Sequence, residues 1–299
     1  MTRIFVAGGT GQVALSLKEA AVKAGVELKT AGRPDFDVTD PAGMQATIKA
    51  YKPTAIINAA AYTAVDAAED DEKNAVAING AGAGALAAIA ADMNVPFLHI
   101  STDYVFDGTK DGAYVEGDPV APQGAYGRSK LAGEQAVMEA NPRAMIFRTA
   151  WIFSPFGKNF CKTMLALASN RDELSIVADQ FGNPTYAPDI ADALLAVIAK
   201  ATANGWRPEL AGIYHLAGTG DTNWHGFAKR IFEEGGKHGH KVPIANAIST
   251  ADYPTPAKRP ANSRLDCTKL ETTFRVTMPQ WQESTAICVK RLFEESLLS

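Results

Sequence analysis

Cysteine is scarce in this chain of 299 residues: Cys161, Cys267 and Cys288 are odd in number, widely spaced, and form no CxxC pair. That pattern excludes a disulfide framework and a cysteine-rich zinc site, and it fits a reducing compartment. An excess of positive charge is also missing. With 29 basic residues against 33 acidic ones and a net charge of −4, the chain offers no cationic face for a phosphate backbone, so no nucleic-acid partner is expected. No segment reads as the roughly 20 apolar residues of a membrane span, and the apolar run in the opening "MTRIFVAGG" is too short for a signal peptide's core. Internal repeats and low-complexity tracts are absent as well. These absences predict a soluble, cytoplasmic protein with no membrane contact, and a chain this long buries roughly three quarters of its unfolded surface.

Short runs of branched and aromatic residues do recur, as "RIFVA" at 3–7, "AIINA" at 55–59, "FLHIS" at 97–101 and "AMIFRT" at 144–149. Continuously apolar strands separated by helix-favouring stretches indicate an α/β fold whose doubly wound parallel sheet is covered on both faces. In "TDPAGMQATIKAY", Asp40 can cap a helix that Pro41 begins. The Gly/Ala-biased "NGAGAGALAAIAA" at 79–91 reads as a helix packed closely against the sheet. After about residue 150 the pattern loosens, which predicts a first domain over 1–150 and a smaller lobe of loops and short elements over 151–299. The amphipathic "APDIADALLAVIAKA" at 187–201 is expected to pack back on the first domain.

The first strand runs into "AGGTGQVA", with Gly8, Gly11 and Ala14 at three-residue steps. Glycine permits the tight bend, and small residues let backbone N–H groups and a helix N-terminus approach a pyrophosphate. At the first strand of a βαβ unit this predicts a dinucleotide cofactor rather than an empty turn. A carboxylate at the end of the second strand would bind a free ribose hydroxyl, whereas "ELKTAGRPDFDV" presents Gly32 and Arg33 there, and an arginine suits a 2′-phosphate. NADPH is therefore favoured, with NADH left open by Asp35 and Asp37; Asp37 and Val38 alternatively border an adenine.

In "AYGRSK", Tyr126 precedes Lys130 by four positions. If "AYGRSKLAGEQAVMEA" is helical, the two share a face with Cβ atoms roughly 5–6 Å apart. A nearby ammonium lowers a phenol's pKa, so Lys130 is expected to make Tyr126 a usable proton donor and to hold the cofactor ribose. The bland alternative is an ordinary surface pair. Ligands of doubly wound folds bind outside the carboxyl ends of the strands, so Thr102 and Asp103 of "HISTDYVFDG" would emerge beside the reacting carbonyl, with Thr102 able to donate to it.

Gly8-x-x-Gly11, Thr102 and Tyr126-x-x-x-Lys130 resemble the extended short-chain dehydrogenase/reductases. "NAAAYTAVDAAE", "STDYVFDG", "AYGRSKLAGE", "FRTAWIF", "DQFGNPT" and "RPANSRL", in that order along nearly the whole chain, resemble the dTDP-4-dehydrorhamnose reductase family. The resemblance implies a Rossmann-type domain with a substrate lobe, and reduction by NAD(P)H of the C4 carbonyl of dTDP-4-dehydro-L-rhamnose for cell-surface polysaccharide. It places the cofactor turn on Gly11, Gln12 and Val13, adenine contacts on Asp37 and Val38, and the nicotinamide-side segment on Ala61, Tyr62 and Thr63. The sugar nucleotide falls to Thr102, Asp103 and Trp151, with Arg259 or Arg264 for the diphosphate. Trp151 alternatively serves as a lobe-interface aromatic, and Arg264 as an ion-pair partner of Asp266. Ala14 departs from a third glycine, and Tyr104 follows Asp103 where related dehydratases carry a glutamate, which favours simple reduction. Two rival readings are a reductase of another 4-keto deoxysugar nucleotide and a regulatory subunit of a methionine adenosyltransferase that binds a partner enzyme. A homodimer and an interfacial Mg²⁺ are both compatible with the sequence; no metal ligands are singled out.

Overall fold

The computed structural model describes residues 2–203 and 205–298. In the first half, strands β1 (Arg3–Ala7), β2 (Glu27–Ala31), β3 (Ala55–Asn58), β4 (Phe97–Thr102) and β5 (Met145–Thr149) alternate with helices. These are α1 (Gln12–Ala24), α2 (Pro41–Tyr51), α3 (Glu72–Val76), α4 (Ala83–Asp92) and α5 (Ala125–Ala140), with a π-helical stretch, Ala77–Gly82, joining α3 to α4. Asp40 caps α2 by accepting from the Gly43 N–H, with Pro41 in the first turn.

The second half supplies β6 (Ile152–Phe153), α6 (Phe160–Asn170), β7 (Glu173–Val177), β8 (Phe181–Gly182), β9 (Thr185–Tyr186) and α7 (Ala187–Ala203). It continues with β10 (Gly212–His215), β11 (Thr222–Asn223), α8 (Trp224–Lys237), β12 (Ile244–Ile248), β13 (Asn262–Ser263), α9 (Thr268–Phe274) and α10 (Trp281–Glu294).

The main sheet has the order β10-β5-β4-β3-β1-β2, parallel throughout. One face is covered by α1, α7 and α9 through Val13, Leu17, Ile190, Leu194, Val197 and Phe274. The other is covered by α2, α4 and α5 through Met44, Ile48, Leu86, Ile89 and Val137. The chain crosses between lobes more than once: α7 lies against α1 as its amphipathic stripe requires, and β10 completes the sheet beside β5. The sheet therefore takes elements from well beyond residue 150.

Two expectations change here. The region after residue 151 is more regular than loops and small elements, because α6, α8 and α10 pack around Leu165, Phe227, Ile231 and Val289 in a core of their own. The Gly/Ala run does meet the sheet, yet its tightest contacts are with α5. A Cβ on Gly84 would sit 2.9 Å from Cβ of Ala136, and one on Gly133 of α5 would overlap the carbonyl oxygen of Asn79. That same stretch also corrects the reading that no segment resembles a membrane span. Helical residues Glu72–Asp92 have the length and a mean hydropathy of 1.4 that would qualify, but over half of that window is buried between the sheet and α5.

Gly133→Ala tests this contact. Alanine favours a helix over glycine by up to about 1 kcal/mol, but overpacking against Asn79 costs about 1–3 kcal/mol. The substitution is expected to lower the urea midpoint; a raised midpoint would contradict the close approach.

Candidate active site

The first candidate cleft lies where β1, β2 and β3 end. About 410 Å³ in volume, it is lined by Gly8, Gly9, Gly11, Arg33, Asp37 and Val38 on one side and by Ala59, Ala60, Ala61 and Ile78 on the other. The backbone there comes closer than side chains would permit. Gly8 has φ +121°, and a Cβ on it would lie 3.0 Å from the Ala59 carbonyl carbon; a Cβ on Gly32 would lie 2.7 Å from the Gly9 nitrogen. Gly11 begins α1 with no side-chain cap on the first-turn N–H groups. An extended diphosphate fits this floor, since its oxygens can take those donors where a Cβ would intrude. Arg33 is exposed at the rim, available to a 2′-phosphate.

Other expected cofactor residues divide. Asp37 and Val38 line the cleft, although the Asp37 carboxylate is occupied by the N–H and hydroxyl of Thr39 at 2.8 and 2.7 Å, which lower its pKa. The Gln12 side chain accepts from the Ser154 hydroxyl at 2.7 Å, and Val13 points into the core, so these two offer a ligand their backbone N–H groups. Tyr62 is pinned through both backbone groups to Asn79 and packs with Tyr126, whereas Thr63 is exposed beyond the cleft lining. Gly9, Phe36, Ala59, Ala60 and Ile78 were not anticipated as lining, whereas Gly32 lines the cleft at the second-strand end where the sequence places it beside Arg33. The doubled glycine at 8–9 was the available sequence signal for the first of these.

The second cluster gathers at the end of β4. Thr102 is the last residue of the strand, and its hydroxyl donates to Asp103 Oδ1 at 3.0 Å. α5 begins at Ala125, so Tyr126 and Lys130 lie in its first two turns; Thr102, Asp103, Tyr126 and Lys130 are 5 %, 4 %, 9 % and 2 % exposed. The Tyr104 ring meets Tyr126 edge-on, with centroids 5.4 Å apart. Burial pushes the Asp103 carboxyl up to about 6, against the pull of the Ser263 and Thr102 hydroxyls and nearby backbone N–H groups.

The structure corrects the expected tuning of Tyr126. The two side chains share a helix face, but Lys130 Nζ donates to the Ile100 carbonyl at 2.6 Å and faces His99 rather than the phenol. Burial, followed by the Asp103 charge, raises the Tyr126 pKa, opposed by the Thr102 hydroxyl, while burial lowers Lys130 to about 8.

Trp151 sits just past β5 in a left-handed conformation, φ +48°, stacked on Trp224 with ring centroids 3.6 Å apart. It is thus a lobe aromatic held in a strained backbone, the kind of outlier that accompanies functional sites. Arg259 reaches Tyr104: it donates to that hydroxyl at 3.2 Å and to Asp66 at 2.6 Å. Arg264 is bonded to Asn262 and lies 3.8 Å from Asp221 rather than pairing with Asp266. It lines a second cleft of about 350 Å³ that contains none of the catalytic candidates. Among the described residues no group of three or more His, Cys, Asp or Glu side chains is placed to hold a metal ion.

The shift at Asp103 has a stability consequence. Its folded pKa of about 6 lies above the unfolded value near 3.8, so the folded state binds the extra proton and stability falls as pH rises between those values. Asp103→Asn is expected to raise the stability at neutral pH by up to about 3 kcal/mol, with the gain fading as the pH falls toward about 4. Denaturation curves across that range check it; a destabilised variant at neutral pH would show that the ionised carboxylate is favourably held.

A family model described as RmlD substrate binding domain matches residues 1–294. A dTDP-4-dehydrorhamnose reductase of Sinorhizobium fredii is 47% identical over 293 residues, covering 98% of both chains. Among solved structures, a dTDP-4-dehydrorhamnose reductase from Clostridium acetobutylicum superposes with a TM-score of 0.90 at 35% identity, covering 98% of this chain and 100% of that one. Another from Bacillus anthracis, in complex with NADP, gives 0.88 at 34% identity, covering 99% and 100%. By sequence and by fold, over nearly its full length, the chain belongs to the dTDP-4-dehydrorhamnose reductase family.

Proposed function

We propose that the protein catalyses NAD(P)H-dependent reduction of the C4 carbonyl of dTDP-4-dehydro-L-rhamnose, giving dTDP-L-rhamnose. The observation that carries this reading is the convergence of Thr102, Asp103 and Tyr126 at the end of β4 in a chain that matches such reductases end to end.

The backbone about Gly8 and Gly11 and the Arg33 side chain would hold NAD(P)H, which when bound would supply the hydride. Thr102, turning its hydroxyl from Asp103, donates to the carbonyl oxygen and fixes its orientation. Tyr126 gives that oxygen its proton as negative charge develops. A buried phenol is a weak acid, but an alkoxide is a stronger base than a phenolate, so the transfer runs downhill even with the pKa raised. The raised value also keeps the phenol protonated through the neutral range. Asp103, largely ionised above pH 6, can accept from a sugar hydroxyl. Trp151 stays stacked on Trp224 in the second lobe, and Arg259 meets the diphosphate by exchanging its bond to Asp66 for one to phosphate. Lys130 holds the ribose by turning away from Ile100. Arg33 confers the preference for NADPH through the 2′-phosphate.

Purified protein should oxidise NADPH with dTDP-4-dehydro-L-rhamnose, and Tyr126→Phe should lower kcat by at least about 100-fold with NADPH affinity nearly unchanged. Undiminished turnover in that variant would remove Tyr126 from its role, and faster turnover of a different 4-keto sugar nucleotide would reassign the substrate. Arg33→Ala should weaken NADPH binding by about 10- to 100-fold, the worth of a charge-assisted hydrogen bond, and leave NADH binding unchanged. Equal effects on the two cofactors would refute the 2′-phosphate contact.

A further inference from the structure

Lys130 is almost wholly enclosed, and its Nζ has two polar neighbours, both on β4: the Ile100 carbonyl at 2.6 Å and His99 Nε2 at 3.5 Å, the outer edge of hydrogen-bond reach. Glu134, one turn further along α5, is committed to Arg148 at 2.6 and 2.9 Å and to the Ser101 hydroxyl at 2.6 Å. His99, itself fully buried, meets the side-chain nitrogen of Asn58 through Nδ1 at 3.0 Å. The Asn58 amide is fixed in orientation, because its oxygen accepts the Ala60 N–H at 3.1 Å and so its NH₂ must face the ring. An NH₂ donating to Nδ1 leaves the proton of a neutral imidazole on Nε2, aimed at Lys130. An ammonium in that position opposes donor to donor, and an imidazolium conflicts with Asn58 as well. An uncharged amine accepts from Nε2–H and still donates to Ile100.

From this chain of bonds we infer that His99 and Asn58 are positioning residues that favour the uncharged form of Lys130 over the ammonium while it is turned to Ile100, so that an uncharged side chain takes a proton from solvent when it turns toward the cofactor ribose. The inference rests on the assignment of Lys130 to the ribose. Burial acts in the same direction, since it lowers Lys130 to about 8 and His99 well below its ordinary value, with Glu134 opposing it at Lys130. Tyr126, on the same helix face, is neutral and adds no charge. Because Asn58 ends β3 and Ala60 lines the cofactor cleft, the bonded chain runs from the cleft wall to the lysine.

Two measurements test this. Proton–nitrogen correlation spectra of the ring nitrogens, with His99 assigned through His99→Gln, should show a neutral ring protonated at Nε2; a ring protonated at Nδ1, or at both nitrogens, overturns the inference without any variant needing to fold well. NADPH affinity measured against pH should weaken about tenfold per pH unit above the lysine's pKa, with a break near 8. In Asn58→Asp an oxygen accepts from Nδ1–H, which makes Nε2 an acceptor for the ammonium. The break should then move up by about one unit or more, and an unmoved break overturns the inference. Failure of the wild-type protein to bind NADPH at any pH would instead defeat the cofactor assignment on which the inference rests.

Discussion

Thr102, Asp103, Tyr126 and Lys130 meet where β4 ends, each less than a tenth exposed, and the cost of keeping ionisable groups out of water governs what each can do there. A carboxyl in this position holds its proton more tightly, a phenol holds its proton more tightly still, and an amine gives its proton up more readily. The upward shift keeps the Tyr126 phenol protonated, and Asp103, despite its own upward shift, is largely an anionic carboxylate beside it near neutral pH. That combination suits a reaction whose last step delivers a proton to an oxygen far more basic than phenolate.

The scaffold reaches this state by ordinary packing. Parallel strands send their carboxyl ends to one edge of the sheet, and the ends of β1, β3, β4 and β5 with the loops that follow them carry the cleft residues Gly8, Gly9 and Gly11, the small residues 59–61, the Thr102-Asp103 pair and Trp151. α5 can deliver Tyr126 and Lys130 to that edge only because Gly133 and the Gly/Ala run let the helices nearly touch. The close approach that buries Tyr126 and Lys130 is thus the same one that shifts their proton affinities.

Much of this was legible in the sequence where the governing physics is local or periodic. Branched runs gave β1, β3, β4 and β5, the Asp40-Pro41 pair gave the start of α2, and Tyr126-x-x-x-Lys130 on a helix-favouring stretch gave a shared face on α5. Spacing alone does not fix where a long side chain points, and so the turn of Lys130 toward Ile100 and away from the phenol was not readable. Neither was the placing of Arg259 beside Tyr104, which depends on how the segment after β12 folds back. The helices of the second lobe were obscured by the prolines and glycines between them, although Trp224, Phe227 and Ile231 carry the helical stripe of α8. His99 and Asn58 gave no signal at all, because a polar residue inside an apolar strand reveals its partners only once the strands are in register.

Direct titration of one phenol tests the central claim that burial, and not a lysine contact, sets the acidity of Tyr126. Tyrosinate absorbance of the wild-type protein minus that of Tyr126→Phe, followed from about pH 6 to about pH 10, isolates that group. The account predicts no phenolate attributable to Tyr126 anywhere in that range. Half-ionisation near neutral pH would contradict it.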